Sequence, residues 1–396
     1  MLPKTTRRGI DGLDDDLART EYSQFRGRSL SYVRALTHLR SILAGAERVG
    51  PIVNGLDRVW AKREFHTYFA RPFLILASLR AEALASSDHP LATGFATRDP
   101  DPSTVTREAI VSAMSQDRIG LWVALASRSP QTNEVSRAFV WRWPAALAGA
   151  ANRARPLGLV DVGASGGLNL IADALPEPWT DGNGARLPVA SDVDVRLRLG
   201  FDLNPLDFLL DEDVAWGRAC IWAGAVEREA RFERAVSAWR NFDRKTVAPT
   251  VHKLNASLVP ARLPDVLSQL PETGLLIVYQ TLVGEYMDPA KRKQYEEGLH
   301  RWLATVSPGR GVWIEGECWP DRPSASMHIV AYVPDGSGGV RSIELGWTAV
   351  HPTIVHVNGA GVKEFKDYFA DIGPSGPRAV VPSRAGGLLS KRPSPK

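Results

Sequence analysis

Cysteine is scarce in this chain, and several common signatures of secreted and metal-binding proteins are missing. The two cysteines, Cys220 and Cys318, are far apart and belong to no C-x-x-C pattern, which argues against a disulfide framework and a thiolate metal site. The histidines form no H-x-x-x-H or H-E-x-x-H pattern, so we expect no metal. No apolar run is long enough to span a bilayer, and residues 1–20 contain no secretory signal. We therefore expect a cytoplasmic protein without a membrane partner.

Positive charge is concentrated at one end of the chain. The formal net charge is +4, but residues 374–396 contain five bases and no acids, so the rest of the chain has a net charge of −1. A nearly neutral body has no basic surface of the kind that binds nucleic acid. Residues 374–396 are also rich in Pro, Gly and Ser, and they are predicted to form a disordered basic tail.

The remaining chain divides into a helical part and a part in which strand and helix signals alternate. Residues 1–156 repeat apolar residues at helical spacing, and we predict a helical N-terminal cap or substrate domain there. From 157 to 373 the alternation predicts an α/β domain with a mostly parallel, doubly wound sheet. The predicted strands are 159–162, 195–201, 250–254, 275–279, 311–315, 327–333 and 340–345. The predicted helices are 29–49, 73–85, 108–127, 137–153, 231–241, 263–270, 290–304 and 363–370.

The last two predicted strands are joined by the turn sequence PDGSGG at 334–339. This hairpin signal predicts an antiparallel pair at the sheet edge. Seven strands that end in such a pair are typical of the Rossmann-like sheet of class I methyltransferases, and that is the predicted fold.

The segment 157–170, LGLVDVGASGGLNL, is the most informative part of the chain. An apolar run that ends in an acid, followed by small residues, predicts a buried strand, a tight turn and a helix. This arrangement presents backbone N–H groups to a ligand, and small residues are needed where a ligand approaches the backbone. The candidate cofactor-binding residues of the turn are Asp161, Gly163, Ala164, Ser165, Gly166 and Gly167.

The spacing of the turn distinguishes between two cofactors. It reads D-x-G-x-S-x-G, with Ser165 where the nicotinamide fingerprint G-x-G-x-x-G has its middle glycine. The variant resembles motif I of S-adenosylmethionine-dependent methyltransferases. The next strand is then expected to end in an acid for the ribose, and Asp202, followed by Asn204, has that position. We expect S-adenosylmethionine as the cofactor; an ordinary strand–helix turn, with Asp202 as a cap before Pro205, is the alternative.

Polar residues at two further places are expected to face the substrate. Residues 131–137, QTNEVSR, come before the first strand. Capping of the following helix is one explanation for them, and an ion pair between Glu134 and Arg137 is another possibility. The strand 275–279 is followed by Gln280 and Glu285, beyond the carboxyl end where open α/β sheets bind ligands.

Methyl transfer requires a positioned acceptor and a proton acceptor, for which a buried carboxylate such as Glu285 or Glu315 is suited. The candidate catalytic residues are Glu134, Arg137, Tyr279 and Glu285. The candidate substrate-binding residues are Asn133, Gln280, Trp222 and Glu315.

Five segments together resemble one family of bacterial proteins, the domain-of-unknown-function 2332 (DUF2332) family. They are QTNEVSRA, LVDVGASGGLNL, GFDLNPLD, CIWAGAVER and LGWTAVHP, and the resemblance covers roughly residues 22–357. It implies a helical N-terminal region attached to a methyltransferase-like sheet. Relatives tend to have Trp-Pro where this chain has Trp222-Ala223.

The expected function is an S-adenosylmethionine-dependent methyltransferase acting on a small molecule, with a role in specialised metabolism. Two alternatives keep the fold: a pocket reused for ring closure or elimination without methylation, and a non-catalytic protein that supports a partner enzyme. A homodimer is also an open expectation.

Overall fold

The first third of the described chain is helical, as its apolar spacing predicts. The computed structural model describes residues 6–45, 50–150, 153–175, 179–190, 192–242, 247–318 and 326–372, and the predicted tail at 374–396 lies outside these ranges. The helices that precede the sheet are α1 (Leu13–Thr20), α2 (Leu30–Ala44), α3 (Gly50–Trp60), α4 (Ala70–Ala85), α5 (Arg107–Ala113), α6 (Ile119–Ser127) and α7 (Phe139–Leu147). A π-helix, Glu21–Phe25, follows α1, and a short 3₁₀ turn, Val135–Ala138, leads into α7.

Several of the predicted helices have different bounds, and those predicted at 108–127 and 137–153 are examples. Residues 108–127 form α5 and α6 rather than one helix, because a turn at 115–118 separates them. The helix predicted at 137–153 is shortened to α7, which ends before Gly149; the φ of 80° at this glycine is typical of a helix terminus. Pro144 lies inside α7 without dividing it.

The second part of the chain forms a mixed α/β structure with a large, mostly parallel sheet of nine strands. The strands are β1 (Leu157–Val162), β2 (Thr180–Asp181), β3 (Val195–Asp202), β4 (Thr250–Lys253), β5 (Leu275–Thr281), β6 (Gly311–Cys318), β7 (Ser326–Pro334), β8 (Val340–Ala349) and β9 (Ile354–Val357). Their order across the sheet is β2-β9-β8-β7-β6-β5-β1-β3-β4. The helices of this part are α8 (Asp211–Ala219), α9 (Val226–Arg240), α10 (Leu263–Ser268), α11 (Pro289–Thr305) and α12 (Gly359–Asp371).

All seven predicted strands are present, but the predicted number of strands is wrong. β2 and β9 are only two and four residues long, too short for alternation to predict them. The predicted hairpin, β7 and β8, is antiparallel. It does not lie at the sheet edge, because β9 pairs with β8 and β2 pairs with β9.

The central strands are buried on both faces, as a parallel sheet covered by helices requires. In β1, Leu157 and Leu159 join the apolar cluster that contains α7 and α12 residues, whereas Val160 and Val162 join the cluster with α10 and α11 residues. The period of two places alternate side chains on opposite faces. The sheet is therefore the middle layer of three.

The helical part also packs on α8 and α9. One apolar cluster contains Leu36 and Leu79 from the helical part together with Trp216 and Phe232. A buried ion pair joins Arg80 of α4 to Glu229 of α9, with 2.8 Å between Nη2 and Oε2. The domain boundary at 156/157 stays a prediction, and a shared core crosses it. Every helix in the described part of the chain falls short of the length and apolarity that crossing a bilayer requires.

Candidate functional site

A cavity of about 1440 Å³ lies between the carboxyl ends of the central strands and the helical part of the chain. Its wall includes Gly163 after β1, Asp202 at the end of β3 and Leu282 after β5. The chain winds from β1 towards β3 on one side and continues with β5 on the other, and open α/β sheets bind ligands at this switch point. Single-ligand pockets are typically about 300–1,000 Å³, so the cavity has room for more than one small molecule.

The glycine turn after β1 uses most of its peptide amides internally. The N–H groups of Gly163 and Ala164 donate to the carbonyl of Phe201, at N–O distances of 2.8 and 3.2 Å. The Ser165 N–H donates to Asp202 Oδ2 at 2.8 Å, and the Gly167 N–H donates to the Ala164 carbonyl. The expectation that these four N–H groups are open to a ligand is therefore wrong. Gly163, Ala164 and Ser165 nevertheless line the cavity.

The other two glycines of the turn face the protein interior. A Cβ at Gly166 would overlap the Phe208 ring, and a Cβ at Gly167, whose φ is 81°, would lie 2.8 Å from Val251 Cγ2. Neither glycine lines the cavity. Their small size serves the packing of the turn against its own protein rather than the approach of a ligand. Gly163, by contrast, lines the cavity, and a Cβ there would overlap Val283 in the segment after β5. A glycine at this position lets the turn pack closely against that segment.

Asp202 lies beside the turn, as predicted for the strand-end acid. Its Oδ1 accepts the Asn204 N–H and its Oδ2 accepts the Ser165 N–H, both at 2.8 Å. Burial raises the pKa of Asp202 above its ordinary value, while these two amides and the Gln131 side chain act in the opposite direction. Asp202 and Asn204 both line the cavity.

Asp161 lies under the turn, outside the cavity wall. Burial raises the pKa of Asp161 to about 8, so this carboxyl is mostly protonated at neutral pH. The Tyr279 hydroxyl is close enough to lower that pKa, but the two groups do not meet hydrogen-bond geometry. Asp161 Oδ2 and the Tyr279 hydroxyl have no partner among the described residues. The predicted contacts of both residues with a ligand are not seen in the cavity wall.

Gln280 and Glu315 are also outside the cavity wall. They belong to a buried network on the face of the sheet that α10 and α11 cover. Gln280 Nε2 donates to Glu317 Oε1 at 2.9 Å, and its Oε1 accepts from the Tyr295 hydroxyl. Glu315 Oε1 accepts from the Tyr332 hydroxyl at 2.7 Å. The hydrogen-bonding groups of these two residues are used inside the fold, so their predicted contact with the substrate is not seen.

Glu134 is the centre of a buried charge cluster on the cavity wall. Its carboxylate accepts from Arg228 Nε at 2.8 Å and from Arg231 Nη2 at 3.1 Å, and it caps the 3₁₀ turn through Ser136. His351 Nδ1 lies 3.2 Å from Glu134 Oε2. Burial alone would raise the pKa of Glu134, but His351 and the two arginines hold it well below its ordinary range. A carboxylate with so low a pKa is a poor proton acceptor. Glu134 therefore holds the Arg228 and Arg231 side chains in place rather than acting as a base.

Arg137 does not pair with Glu134, contrary to the predicted pairing three residues apart. Its Nε donates to the Val350 carbonyl at 3.0 Å. The two terminal nitrogens have no partner among the described residues, and they are open to the cavity that Arg137 lines. The side chain is nevertheless buried, with the residue 5% exposed. Arg137 therefore presents an unused guanidinium edge to any ligand in the cavity.

Two asparagines beside the turn also have unused polar atoms. The Ser165 hydroxyl donates to Asn133 Oδ1 at 2.7 Å, and the buried Asn133 Nδ2 has no acceptor among the described residues. Asn169 Oδ1 is likewise buried with no donor in the described part of the chain, and its backbone carbonyl accepts from Trp141 Nε1. Both asparagines line the cavity. One unused donor and one unused acceptor therefore lie close to the turn.

Residues 163–167 also read G-x-S-x-G, the spacing of the nucleophile elbow of α/β-hydrolases. Ser165 has a φ of 53°, which is strained for a residue other than glycine. A nucleophilic serine requires a hydrogen bond to a base, but the Ser165 hydroxyl donates to Asn133. This arrangement does not favour a serine hydrolase.

Aromatic side chains line the side of the cavity next to the helical part of the chain, which we call the helical side. The rings of Phe25 and Trp222 lie 4.9 Å apart, and those of Phe69 and Tyr286 lie 5.4 Å apart, both in edge-to-face geometry. Trp222 also meets the His351 ring edge-on at 5.8 Å. These five residues line the cavity. They give this side an apolar, aromatic surface.

The candidate residues thus fall into two groups. Those that do not line the cavity are Asp161, Gly166, Gly167, Tyr279, Gln280 and Glu315. Those that line the cavity are Asn133, Glu134, Arg137, Gly163, Ala164, Ser165, Asp202, Asn204, Trp222 and Glu285. His351, Arg228 and Asn169 line it too, and sequence reasoning did not single them out, although they belong to the segments LGWTAVHP, CIWAGAVER and GASGGLNL. Within the described residues, no group of three or more His, Cys, Asp or Glu side chains is placed to hold a metal ion.

Comparison with known proteins supports a family and no further relationship. No curated protein and no solved structure matches the chain. A family model described as "Uncharacterized protein conserved in bacteria (DUF2332)" matches residues 22–356, which is most of the chain. The five segments of the family resemblance all contribute residues to the cavity and all lie within this match, and the chain belongs to the DUF2332 family.

Proposed function

We propose that the protein is an S-adenosylmethionine-dependent methyltransferase-like enzyme that acts on a small molecule. The observation that carries this proposal is Asp202. Its carboxylate ends β3, binds the Ser165 N–H of the glycine turn and lines a cavity at the switch point of the sheet. The parallel strands follow the order β4-β3-β1-β5-β6. This corresponds to the 3-2-1-4-5 portion of the Rossmann-like arrangement, in which the acid after the second strand binds a ribose.

The polar groups around the turn fit the two ends of the cosubstrate. Each Asp202 oxygen accepts one backbone N–H and retains a second lone pair, with which it would accept a ribose hydroxyl. The unused Asn133 Nδ2 would donate to the methionine carboxylate, and the unused Asn169 Oδ1 would accept from the methionine ammonium group. When bound, S-adenosylmethionine supplies an electrophilic methyl group.

The chain's own residues would position the acceptor and receive its proton. Because methyl transfer is an in-line displacement, most of the catalysis comes from holding the acceptor in place and excluding water. Burial is the main cause that lowers the pKa of His351 to about 4, so the imidazole is neutral at pH 7. Glu134 Oε2 lies 3.2 Å from Nδ1, but the two atoms do not meet hydrogen-bond geometry. So low a pKa makes His351 a weak base as well, and Glu285 stays the candidate proton acceptor.

Calorimetric titration with S-adenosylmethionine and S-adenosylhomocysteine tests the proposal. We expect micromolar binding to the wild type and a loss of at least about tenfold in Asp202→Asn, since a hydrogen bond to a charged group is worth that much. Asp207→Asn is the matched control. Asp207 likewise accepts the N–H two residues on, from Leu209, but it does not line the cavity. Its affinity should be unchanged.

The absence of binding to the wild type would overturn the proposal. Turnover of a small molecule without the cosubstrate would then favour a reused pocket, the alternative in which ring closure or elimination replaces methylation.

A further inference from the structure

We infer that the helical side of the cavity binds the acceptor, and that the acceptor is an aromatic carboxylic acid whose carboxylate is held by Arg137. The inference deepens the proposed function by naming the substrate class of the same cavity. It depends on that function only in calling this ligand the methyl acceptor.

The first support is the unused guanidinium edge of Arg137. The residue is 5% exposed, and its terminal nitrogens lack a partner among the described residues while they face the cavity. Arg228, on the same wall, pairs with Glu134 through Nε, but its buried Nη1 has no partner among the described residues. A buried cation is costly unless it is paired. Arg137, which forms no ion pair among the described residues, therefore indicates a site for an anion.

The second support is that no carboxylate among the described residues forms an ion pair with Arg137. Glu134 is bonded to Arg228 and Arg231, so this cluster has one negative and three positive charges when Arg137 is included. Glu317 is off the cavity wall, with Oε1 accepting from Gln280. Glu285 lines the cavity, but no ion pair among the described residues joins it to Arg137.

The third support concerns the kind of anion. The planar guanidinium fork matches the two oxygens of a carboxylate. A phosphate is usually bound with several backbone N–H groups, but those of Gly163, Ala164 and Ser165 are already bonded inside the turn. These observations favour a carboxylate over a phosphate.

The fourth support is the aromatic surface next to the two arginines. The Trp222 ring lies 4.9 Å from the Phe25 ring and 5.8 Å from the His351 ring, and the Arg228 guanidinium lies 5.5 Å from the Trp222 ring centre. Aromatic rings pack well against such edge-to-face clusters. An anion site beside an aromatic wall fits a ligand with a ring at one end and a carboxylate at the other.

Binding of simple probes to the full-length protein tests the inference without the cosubstrate. Titrations would use benzoate, its neutral analogue benzamide, phenyl phosphate and cyclohexanecarboxylate. We expect the wild type to bind benzoate at least about tenfold more tightly than benzamide, and more tightly than the other two probes. Equal binding of benzoate and benzamide would overturn the anion site. Tighter binding of phenyl phosphate would overturn the carboxylate assignment, and equal binding of cyclohexanecarboxylate would overturn the aromatic one.

Arginine variants locate the site. Arg137→Gln should abolish the preference for benzoate over benzamide, and Arg137→Lys should retain part of it because the charge remains without the fork. Arg63→Gln is the matched control: Arg63 lines the same cavity, but its guanidinium donates to the carbonyls of Leu125 and Arg128. The preference should survive in this control, and its loss there would mean that overall cavity charge, not Arg137, binds the probe.

Titration of the same variants with S-adenosylmethionine separates the two proposals. Arg137→Gln should leave this affinity within about twofold of the wild type, and a larger loss would assign Arg137 to the methionine end and overturn the inference. Failure of the wild type to bind S-adenosylmethionine, with benzoate binding intact, would defeat the proposed function alone. Should Arg137→Gln not fold, by circular dichroism, the wild-type comparison of benzoate with benzamide and the Arg137→Lys variant still decide the matter.

Discussion

The two sides of the cavity are built by different means. On the sheet side, the turn after β1 uses small residues, and Asp202 binds backbone N–H groups from two neighbouring segments. On the helical side, Glu134 is held by Arg228 and Arg231, almost a hundred residues further along the chain. The first side depends on shape and backbone hydrogen bonds, whereas the second depends on paired charges. The two sides should therefore respond differently to substitution.

The largest loss of stability is expected on the helical side. Glu134→Gln removes the negative charge that Arg228 and Arg231 share, and both guanidinium groups are then buried without an anion. Removing one partner of a buried ion pair costs about 3–5 kcal/mol, and we expect a decrease of this size in the free energy of unfolding, measured by urea denaturation.

Glu233→Gln provides the comparison for an exposed pair. Glu233 binds Arg218 at 2.8 Å, but both side chains are substantially exposed, at 52% and 40%. We expect a loss below about 1 kcal/mol. Equal losses in the two variants would show that burial does not set the strength of the Glu134 cluster, and the contrast between the two sides of the cavity would no longer hold.

A smaller loss is expected on the sheet side. Gly166→Ala places a Cβ against the Phe208 ring, and overpacking of this kind costs about 1–3 kcal/mol. Gly359→Ala is the control, because a Cβ there meets nothing within 4 Å; we expect a change within about 0.5 kcal/mol. If Gly166→Ala unfolds at the wild-type urea concentration, the turn is not packed as tightly as the structure indicates.

The same difference between the two sides explains what the sequence could predict. The turn at 157–170 and its acid at Asp202 were predictable because a strand, its turn and the neighbouring strand carry local patterns. Asp161 was assigned to a ligand because the pattern gives its place at the strand end but not that its side chain lies under the turn, against Tyr279. The inward packing of Gly166 was equally hidden, since glycine signals a need for space without saying what fills it.

The helical side was harder to predict, because its contacts join distant segments. Nothing in the local spacing around Glu134 shows that its partners are Arg228 and Arg231, and the nearby Arg137 was the natural choice. His351 follows a strand end in LGWTAVHP, and its position there was the available signal. The short strands β2 and β9 were missed for a related reason, since their pairing, not their own sequence, makes them strands.

The pH dependence of stability sharpens the comparison further, because the buried Asp161 carboxyl forms no ion pair among the described residues and has a raised pKa. Burial raises the pKa of Asp161 to about 8, from an ordinary value of 3.8. The unfolded chain therefore releases this proton well below neutral pH, while the folded chain keeps it. The stability that the protonated group contributes is complete below the unfolded pKa and is lost as the pH rises through the folded pKa. Glu317, whose pKa burial raises to about 7, adds to the same trend.

Asp161→Asn should remove most of this loss, because the amide stays neutral at every pH. We expect the wild-type free energy of unfolding to fall between about pH 4 and about pH 8, and the variant to show a shallower decline. Each pKa unit of difference corresponds to about 1.4 kcal/mol, so at about pH 8 the variant should be the more stable protein. The decline that remains reports Glu317, and Glu317→Gln in the Asp161→Asn background should reduce it again. Equal slopes for wild type and Asp161→Asn would mean that Asp161 is ionised in the folded protein, and its burial would then not raise its pKa as the structure indicates.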